Sequence, residues 1–452
     1  MSENNKDPRY RRTEGAEGSE RSRVQTGRRP VARRDVPEKK KNTSVTSRDY
    51  ENKSLVTIVK ERALATKKKK DKKWENAEIE RQRHGVDRPM LVIILLIIVL
   101  GTIMVFSASY PSALREANDS LHYIKMQLLW VALGSVALIL ASLVPYQVYK
   151  KFTPAVAVVA TILLLLVFVI GDERGGARRW IEVGPINIQP SEIAKAALVL
   201  VLAFYIDKNY EAVSKGTDKK LTFRRGVLIP GLIVGFFAGL VLLEKHLSGC
   251  IILGLIGVAI IFVSGADVVK MALCYGIPAV GAFLIYIATN DYARARLTTH
   301  ADADADILGE AWQTTQGLYA IGSGGFLGMG LGESNLKYNY VSEAHNDFIY
   351  TIWCEELGFV GAVLLLVLYG FFVWRGFVIA KKAPDTFSSL VAFGITFQVG
   401  IQAALNILVV TNVIPNTGVS LPFFSYGGSS LIMLMGEMGI LMSISKHSYQ
   451  KK

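Results

Sequence analysis

The sequence has almost no cysteine: Cys250, Cys274 and Cys354 are all that 452 residues contain. They lie in or beside apolar stretches, without pairing or metal-ligand spacing, which excludes a disulfide framework and a zinc site. Charge is scarce as well, at 20% of residues against 51% hydrophobic, and it is unevenly placed. Residues 1–88 hold 26 of the 51 Lys and Arg and 15 of the 38 acids, leaving the remainder close to neutral. That excludes one uniformly basic nucleic-acid-binding fold and points to a basic tail on a membrane body. No alternating strand pattern of a barrel occurs, so any spanning elements must be helices. The long polar start, with no small-residue cleavage site after the first apolar run, is not expected to be a signal peptide.

What is present begins abruptly at Met90. Apolar runs recur at 90–109, 124–144, 153–170, 190–206, 227–243, 247–264, 270–288, 350–374, 388–411 and 425–445. Each is long enough to cross or nearly cross ~30 Å of hydrocarbon. The expected fold is an all-α polytopic membrane protein of about ten transmembrane helices, body 89–446, with one large outer loop at about 289–349 between the seventh and eighth. Lys150, Lys151, Lys208, Arg224, Arg225, Lys270, Arg375 and Lys446 fall on alternate loops from the sparser Arg115, Arg178, Arg179 and Lys337. The positive-inside rule then places both termini in the cytoplasm. The tail, 1–88, is expected to be largely disordered, with a helix possible over Ser54–Arg83. It reads either as a solvated segment that sets topology or as a polybasic patch drawn to anionic lipid, at about 1 kcal/mol per basic residue.

Polar residues inside such a body need a reason. The outer loop carries a glycine-rich run, Ile321 to Gly332, whose amides could face an anion, although tight turns alone would also require it. It closes with Glu343, His345 and Asp347 at the start of an apolar helix, where they can cap that helix or supply a general base. Glu355 and Glu356, further in, should face the bundle interior or a wet cavity. A second cluster joins Arg179 and Trp180 to Glu192 and Lys195. The last two are three residues apart on one helical face, as a structural ion pair or an anion-recognition face. A third runs from Asn416 through Ser425, Gly427 and Ser429, where Pro and Gly suggest broken helix lining a cavity. Gln398, Gln402 and Asn406 on the preceding helix need partners. Glu244, Lys245 and His246 read as an interfacial anchor, and the alternating Asp302, Asp304 and Asp306 as solvated loop.

The strings GGARRWIEVGPINIQPSEIAK, IGSGGFLGMGLG, EAHNDFIYTIWCEELGFVG and NTGVSLPFFSYGGSSL, in this order, resemble the SEDS family of FtsW, RodA and SpoVE. Coverage runs from about Val86 to Ser445, and the last strings look more like the FtsW and SpoVE branch. The resemblance implies a bacterial plasma-membrane enzyme that polymerises lipid II into glycan strands during division, elongation or sporulation. It also implies a class B penicillin-binding protein as partner, with membrane lipid and no nucleic acid. The family's essential aspartate falls on Asp347, and its Arg-Trp and Glu/Lys positions on Arg179, Trp180, Glu192 and Lys195. One departure is Glu244-Lys245-His246, where many members have an acid after a proline. Inverting transfer needs one base near the acceptor hydroxyl and positive charge near the leaving diphosphate, not a close carboxylate pair. Asp347 would be the base, and Arg179, Lys195 or a divalent cation the positive charge, with Glu192, Trp180, Glu343, His345, Ser425, Gly427 and Ser429 lining the substrate site. No metal ligands are assigned. Alternatives of other classes are a flippase for the lipid-linked precursor, which the lack of a clear internal repeat disfavours, and a non-catalytic scaffold.

Overall fold

The computed structural model describes residues 55–57, 85–174, 177–184, 186–214, 219–289, 294, 300 and 311–448. Apart from residues 55–57 and 85–88, the tail and its expected helix lie outside the described residues, as does the acidic stutter at 302–306. The helices are α1 (Arg88–Ala117), α2 (His122–Leu143), α3 (Tyr146–Ile170), α4 (Pro190–Ser214), α5 (Lys219–Leu243), α6 (Leu247–Val263) and α7 (Val268–Thr289). They continue as α8 (Trp312–Ser323), α9 (Ile349–Lys382), α10 (Thr386–Val410) and α11 (Gly428–Lys446).

Each apolar run falls on a helix. Among the described residues, eight of these helices are long and apolar enough to cross a membrane: α1, α2, α3, α5, α7, α9, α10 and α11. The 17-residue α6 is apolar but shorter. The 25-residue α4 differs by composition, since it carries Glu192, Lys195, Asp207, Lys208 and Glu211. Burial sorts the helices into centre and rim. In the most apolar stretch of α11, 72% of residues are buried, and 61% in α10, against 6% in α7. The rim helices turn Val158, Ile162, Leu232, Leu284 and Val367 outward, the arrangement expected where the solvent is hydrocarbon.

The helix ends follow ordinary capping chemistry. Asp87 accepts from the Met90 amide at 3.1 Å and opens α1, with Pro89 in the first turn. Its carboxylate also takes Arg375 of α9 in a two-pronged pair, at 3.0 and 2.8 Å. Asp385 and Ser388 form a capping box on α10. Two helices contain a π turn, Arg224–Leu228 in α5 and Ala272–Gly276 in α7. The Tyr275 hydroxyl of the second donates to the Val227 carbonyl of the first.

Hydropathy does not signal the link between α3 and α4. There the chain forms an antiparallel sheet of β1 (Asp172–Arg174), β2 (Ala177–Val183) and β3 (Ile186–Ile188) in that order, with Ile181 opposite Ile188. The outer loop holds another unanticipated element, the helix α8.

The glycine-rich run that follows α8 re-enters and is spliced into a break in α9. At Gly358 the backbone turns to φ +66°, which a side chain rarely tolerates. The carbonyls of Glu355 and Glu356, which lose their helical partners there, accept from the Met329 and Gly330 amides at 3.0 Å each. The freed Phe359 and Val360 amides donate to Gly325 and Phe326 carbonyls, at 2.9 and 3.2 Å. A Cβ at Gly328 would stand 2.1 Å from the Glu356 carbonyl, so close approach requires the glycine. The amides of Met329 and Gly330 therefore complete a helix, and the anion-cradle reading of this run is replaced by a packing one.

Candidate active site

Glu355 and Glu356 face the interior, both fully buried, and serve this splice. Glu355 accepts from Ser334 Oγ at 2.5 Å and from the Asn335 and Leu336 amides at 3.0 and 3.3 Å. Glu356 pairs with Lys337 at 3.1 Å and takes Ser107 Oγ of α1 at 2.5 Å. Glu355 has both oxygens, and Glu356 one of its two, engaged in holding the loop, and Asp347 is the acid presented beside it.

Asp347 lies in the turn just before α9 and is half-buried. Its Oδ2 would be 3.5 Å from a Cβ on Gly418, whose φ of +66° bends the 416–420 segment over the acid. The Asn406 amide group of α10 fixes both sides of this contact. It donates to the Asp347 carbonyl at 2.7 Å and to the Val419 carbonyl at 2.6 Å. One turn along the same face, about 5.4 Å of rise, Gln402 donates to the Ser420 carbonyl at 3.3 Å and accepts from Lys195 Nζ at 3.1 Å. Lys195 in turn pairs with Glu192 at 2.8 Å, both buried, so the expected i,i+3 pair forms. A further turn along, Gln398 donates to both oxygens of Glu437 at 3.1 and 2.9 Å. Glu437, buried in α11, escaped sequence reasoning, although an acid inside the apolar run LMGEMGI was a signal.

Arg179 stands on β2, with Trp180 half-buried beside it. Its guanidinium donates to the Lys245 carbonyl at 2.5 Å and projects positive potential onto Glu244 and His246. Lys195 projects onto His246 as well, so the two cations share a neighbour. His246 meets Ser191 Oγ of α4 at 3.2 Å, and burial lowers its pKa to about 3, keeping the ring neutral. Glu244 is buried with both carboxylate oxygens lacking a hydrogen-bond partner, and burial raises it to about 8 against the pull of Arg179. Glu244 is thus enclosed and His246 half-buried, while Lys245 is exposed, as an interfacial anchor would be. Ser248 Oγ donates to the Thr417 carbonyl, tying the corner to the segment that covers Asp347.

The other expected residues are placed differently. His345 is buried against Tyr123 and Tyr426, at 4.4 and 5.8 Å between ring centres, and its carbonyl accepts from the Tyr426 amide at 2.9 Å. Burial pushes its pKa down while Glu343 and Glu116 pull it up. Glu343 is exposed, at φ +53°, and accepts from the Asn346 side chain. Ser425 Oγ accepts from the Leu421 amide at 2.8 Å, closing a turn, and Ser429 Oγ accepts from the Gln189 amide at 3.3 Å. Gly427 precedes α11 as its cap residue. These groups hold the frame around the acid. Among the described residues no three His, Cys, Asp or Glu side chains cluster to hold a metal ion, so the donor set does not fit a dedicated divalent site.

The family described as cell cycle protein, FtsW/RodA/SpoVE, matches residues 87–450. The chain belongs to this family. SpoVE, the stage V sporulation protein E of Bacillus subtilis, is 37% identical over 80% of this chain and 97% of its own. A probable peptidoglycan glycosyltransferase FtsW of Geobacter sp. strain M18 is 34% identical over 81% and 98%. Among solved structures, the rod shape determining protein RodA of Thermus thermophilus superposes with a TM-score of 0.59 at 26% identity, covering 81% of this chain and 98% of that one. A chain from a peptidoglycan synthase complex, studied for how it coordinates polymerization and crosslinking, superposes at 0.64 with 26% identity, covering 81% and 99%. With its apolar helices, this SEDS protein is a multi-pass protein of the bacterial membrane.

Proposed function

We propose that this SEDS protein is a peptidoglycan glycosyltransferase that polymerises lipid II into β-1,4-linked glycan strands. The observation that carries the reading is the polar stripe of α10, which joins the Asp347 turn at one end to the Lys195–Glu192 pair at the other. Asp347 takes the proton from the 4-hydroxyl of the acceptor sugar, and that oxygen attacks the anomeric carbon of the donor. The bond from that carbon to the diphosphate oxygen breaks with inversion, and undecaprenyl diphosphate leaves. Lys195 and Arg179 stabilise the negative charge that develops on the departing group, while Glu192 and Gln402 hold the Lys195 ammonium in place. The near-neutral Glu244 and His246 add little charge to oppose the anion. Polyprenyl tails lie along the apolar helix faces, with Asp347 on the external side and both termini in the cytoplasm. A class B penicillin-binding protein is the partner that crosslinks the strands, in keeping with the complex from which one structural neighbour comes.

The test is Asp347→Asn in purified full-length protein supplied with lipid II. The expected result is a loss of at least 10²-fold in strand synthesis, the ordinary worth of a positioned base, with an unchanged unfolding temperature. Strand synthesis within a few-fold of the parent would remove Asp347 from this role.

A further inference from the structure

A second feature lies among three helices apart from the α10 stripe. Helices α3, α4 and α5 leave an apolar groove of about 470 Å³ between them, walled by Val158, Thr161, Val201, Leu232, Ile233 and Phe236 among others. Thr161 is its one polar wall residue, and its hydroxyl is occupied by the Ala157 carbonyl at 2.8 Å. The groove accepts only hydrocarbon.

Its inner end is different. The π turn makes the Ile229 amide donate to the Arg224 carbonyl, five residues back, so Arg224 stands directly beneath Ile229, a wall residue. Arg225 stands next to it. Both are exposed, and neither makes an ion pair or side-chain hydrogen bond among the described residues. On α4, Tyr205 lies one turn inward of the wall residue Val201. Its hydroxyl is buried without a hydrogen-bond partner and feels the positive field of Arg225 and Arg224. The nearby acid Asp207 is taken up by Lys150 of α3 at 2.6 Å, so it does not neutralise the arginines. A hydrocarbon slot with two free cations and an idle hydroxyl at its cytoplasmic mouth matches a molecule with an anionic head and a long apolar tail. Basic pockets between transmembrane helices on that side bind anionic lipid headgroups.

We propose that this groove is a binding site for an anionic phospholipid of the inner leaflet. The phosphate sits against Arg224, Arg225 and the Tyr205 hydroxyl, and one acyl chain lies between α3 and α5. The π turn is the device that makes it, because widening the helix by one residue brings Arg224 under the slot and leaves Arg225 beside it.

Full-length protein, stripped of lipid in a non-ionic detergent, is titrated with dioleoyl phosphatidylglycerol, dioleoyl phosphatidylcholine or inorganic phosphate and followed by native mass spectrometry. The phosphatidylglycerol adduct is expected to be about tenfold more stable than the phosphatidylcholine one. Replacing both arginines (R224Q/R225Q) brings the two lipids to near parity, and Tyr205→Phe lowers the preference two- to threefold. Val158→Trp, at an outward-facing wall position, fills the slot and removes the adduct of either lipid. The basic tail can hold anionic lipid on its own, but that binding ignores the slot and survives Val158→Trp. A preference unchanged in the double variant, an adduct unchanged by Val158→Trp, or displacement by inorganic phosphate alone would each overturn the proposal. If the double variant does not survive purification, Tyr205→Phe and Val158→Trp decide the matter between them.

Discussion

Two groups of buried acids sit in this bundle, and they are treated in opposite ways. Glu355 and Glu356 are tied by a lysine, two serines and two amides into the splice that joins the outer loop to α9. Glu244 is equally enclosed, yet both its oxygens lack a hydrogen-bond partner, and it stands in the corner that houses Arg179, His246 and Lys195. The first arrangement is what burial of charge demands for stability. The second is eased by burial, which pulls the carboxyl up to about 8 and favours its neutral form. The acids engaged by the loop hold it to α9, and the acid with neither oxygen engaged lines the corner beside Arg179.

Breaking the scaffold should have the largest effect. Glu356→Ala leaves the Lys337 ammonium buried without its carboxylate and is expected to cost about 3–5 kcal/mol, read as a lowered unfolding midpoint of the purified protein in detergent. Gly358→Ala forces a side chain onto the φ +66° kink and against the Gly328 amide, 2.3 Å from the new Cβ. A loss of about 1–3 kcal/mol is expected by the same measurement, with the outer loop becoming sensitive to protease.

The Glu244 corner should respond to pH instead. Burial raises Glu244 from 4.5 to about 8, so across that interval the folded state keeps a proton that the unfolded state has released. Its contribution is complete below about pH 4.5 and is lost as pH rises through 8. His246, lowered from 6.5 to about 3, acts in the opposite sense, and only below its ordinary value. Between pH 6.5 and 8, Glu244 therefore acts alone of the two. The parent's unfolding temperature should fall across that window by on the order of a few degrees, and Glu244→Gln should flatten the fall. Equal slopes would show that the carboxyl is already ionised. The smallest effect is expected from Ser429→Ala, which removes one hydrogen bond, from the Gln189 amide, and should cost about 0.5–1.5 kcal/mol in the same unfolding assay.

How much of this the sequence discloses follows from the range of each interaction. The helices were legible because hydropathy is a property of a segment alone. The Glu192–Lys195 pair was legible because i,i+3 geometry is local. The need of Gln398, Gln402 and Asn406 for partners was legible from their four-residue spacing in an apolar helix, but the partners were not. Those partners, Glu437, Lys195 and the Asp347 and Val419 carbonyls, come from four separate parts of the chain. The glycine-rich run leaves two readings open for the same reason. Glycine density signals close approach, but only the break at Gly358 shows what is approached. The sheet at 172–188 has strands too short to outweigh the apolar helices on either side, and Glu244 read as an anchor because its enclosure depends on β2 and α4.

The clasp at the cytoplasmic end of α1 has a consequence for how the protein is made. Asp87 takes Arg375 with its carboxylate, and its amide donates to Ser445 Oγ at 3.2 Å, across a separation of 358 residues. During synthesis the first helix enters the bilayer long before either partner has left the ribosome. Its starting turn must wait, charged and incomplete, until the final helix arrives. A nascent chain stopped short of Ser445 lacks this closure and leaves the Asp87 amide without that acceptor.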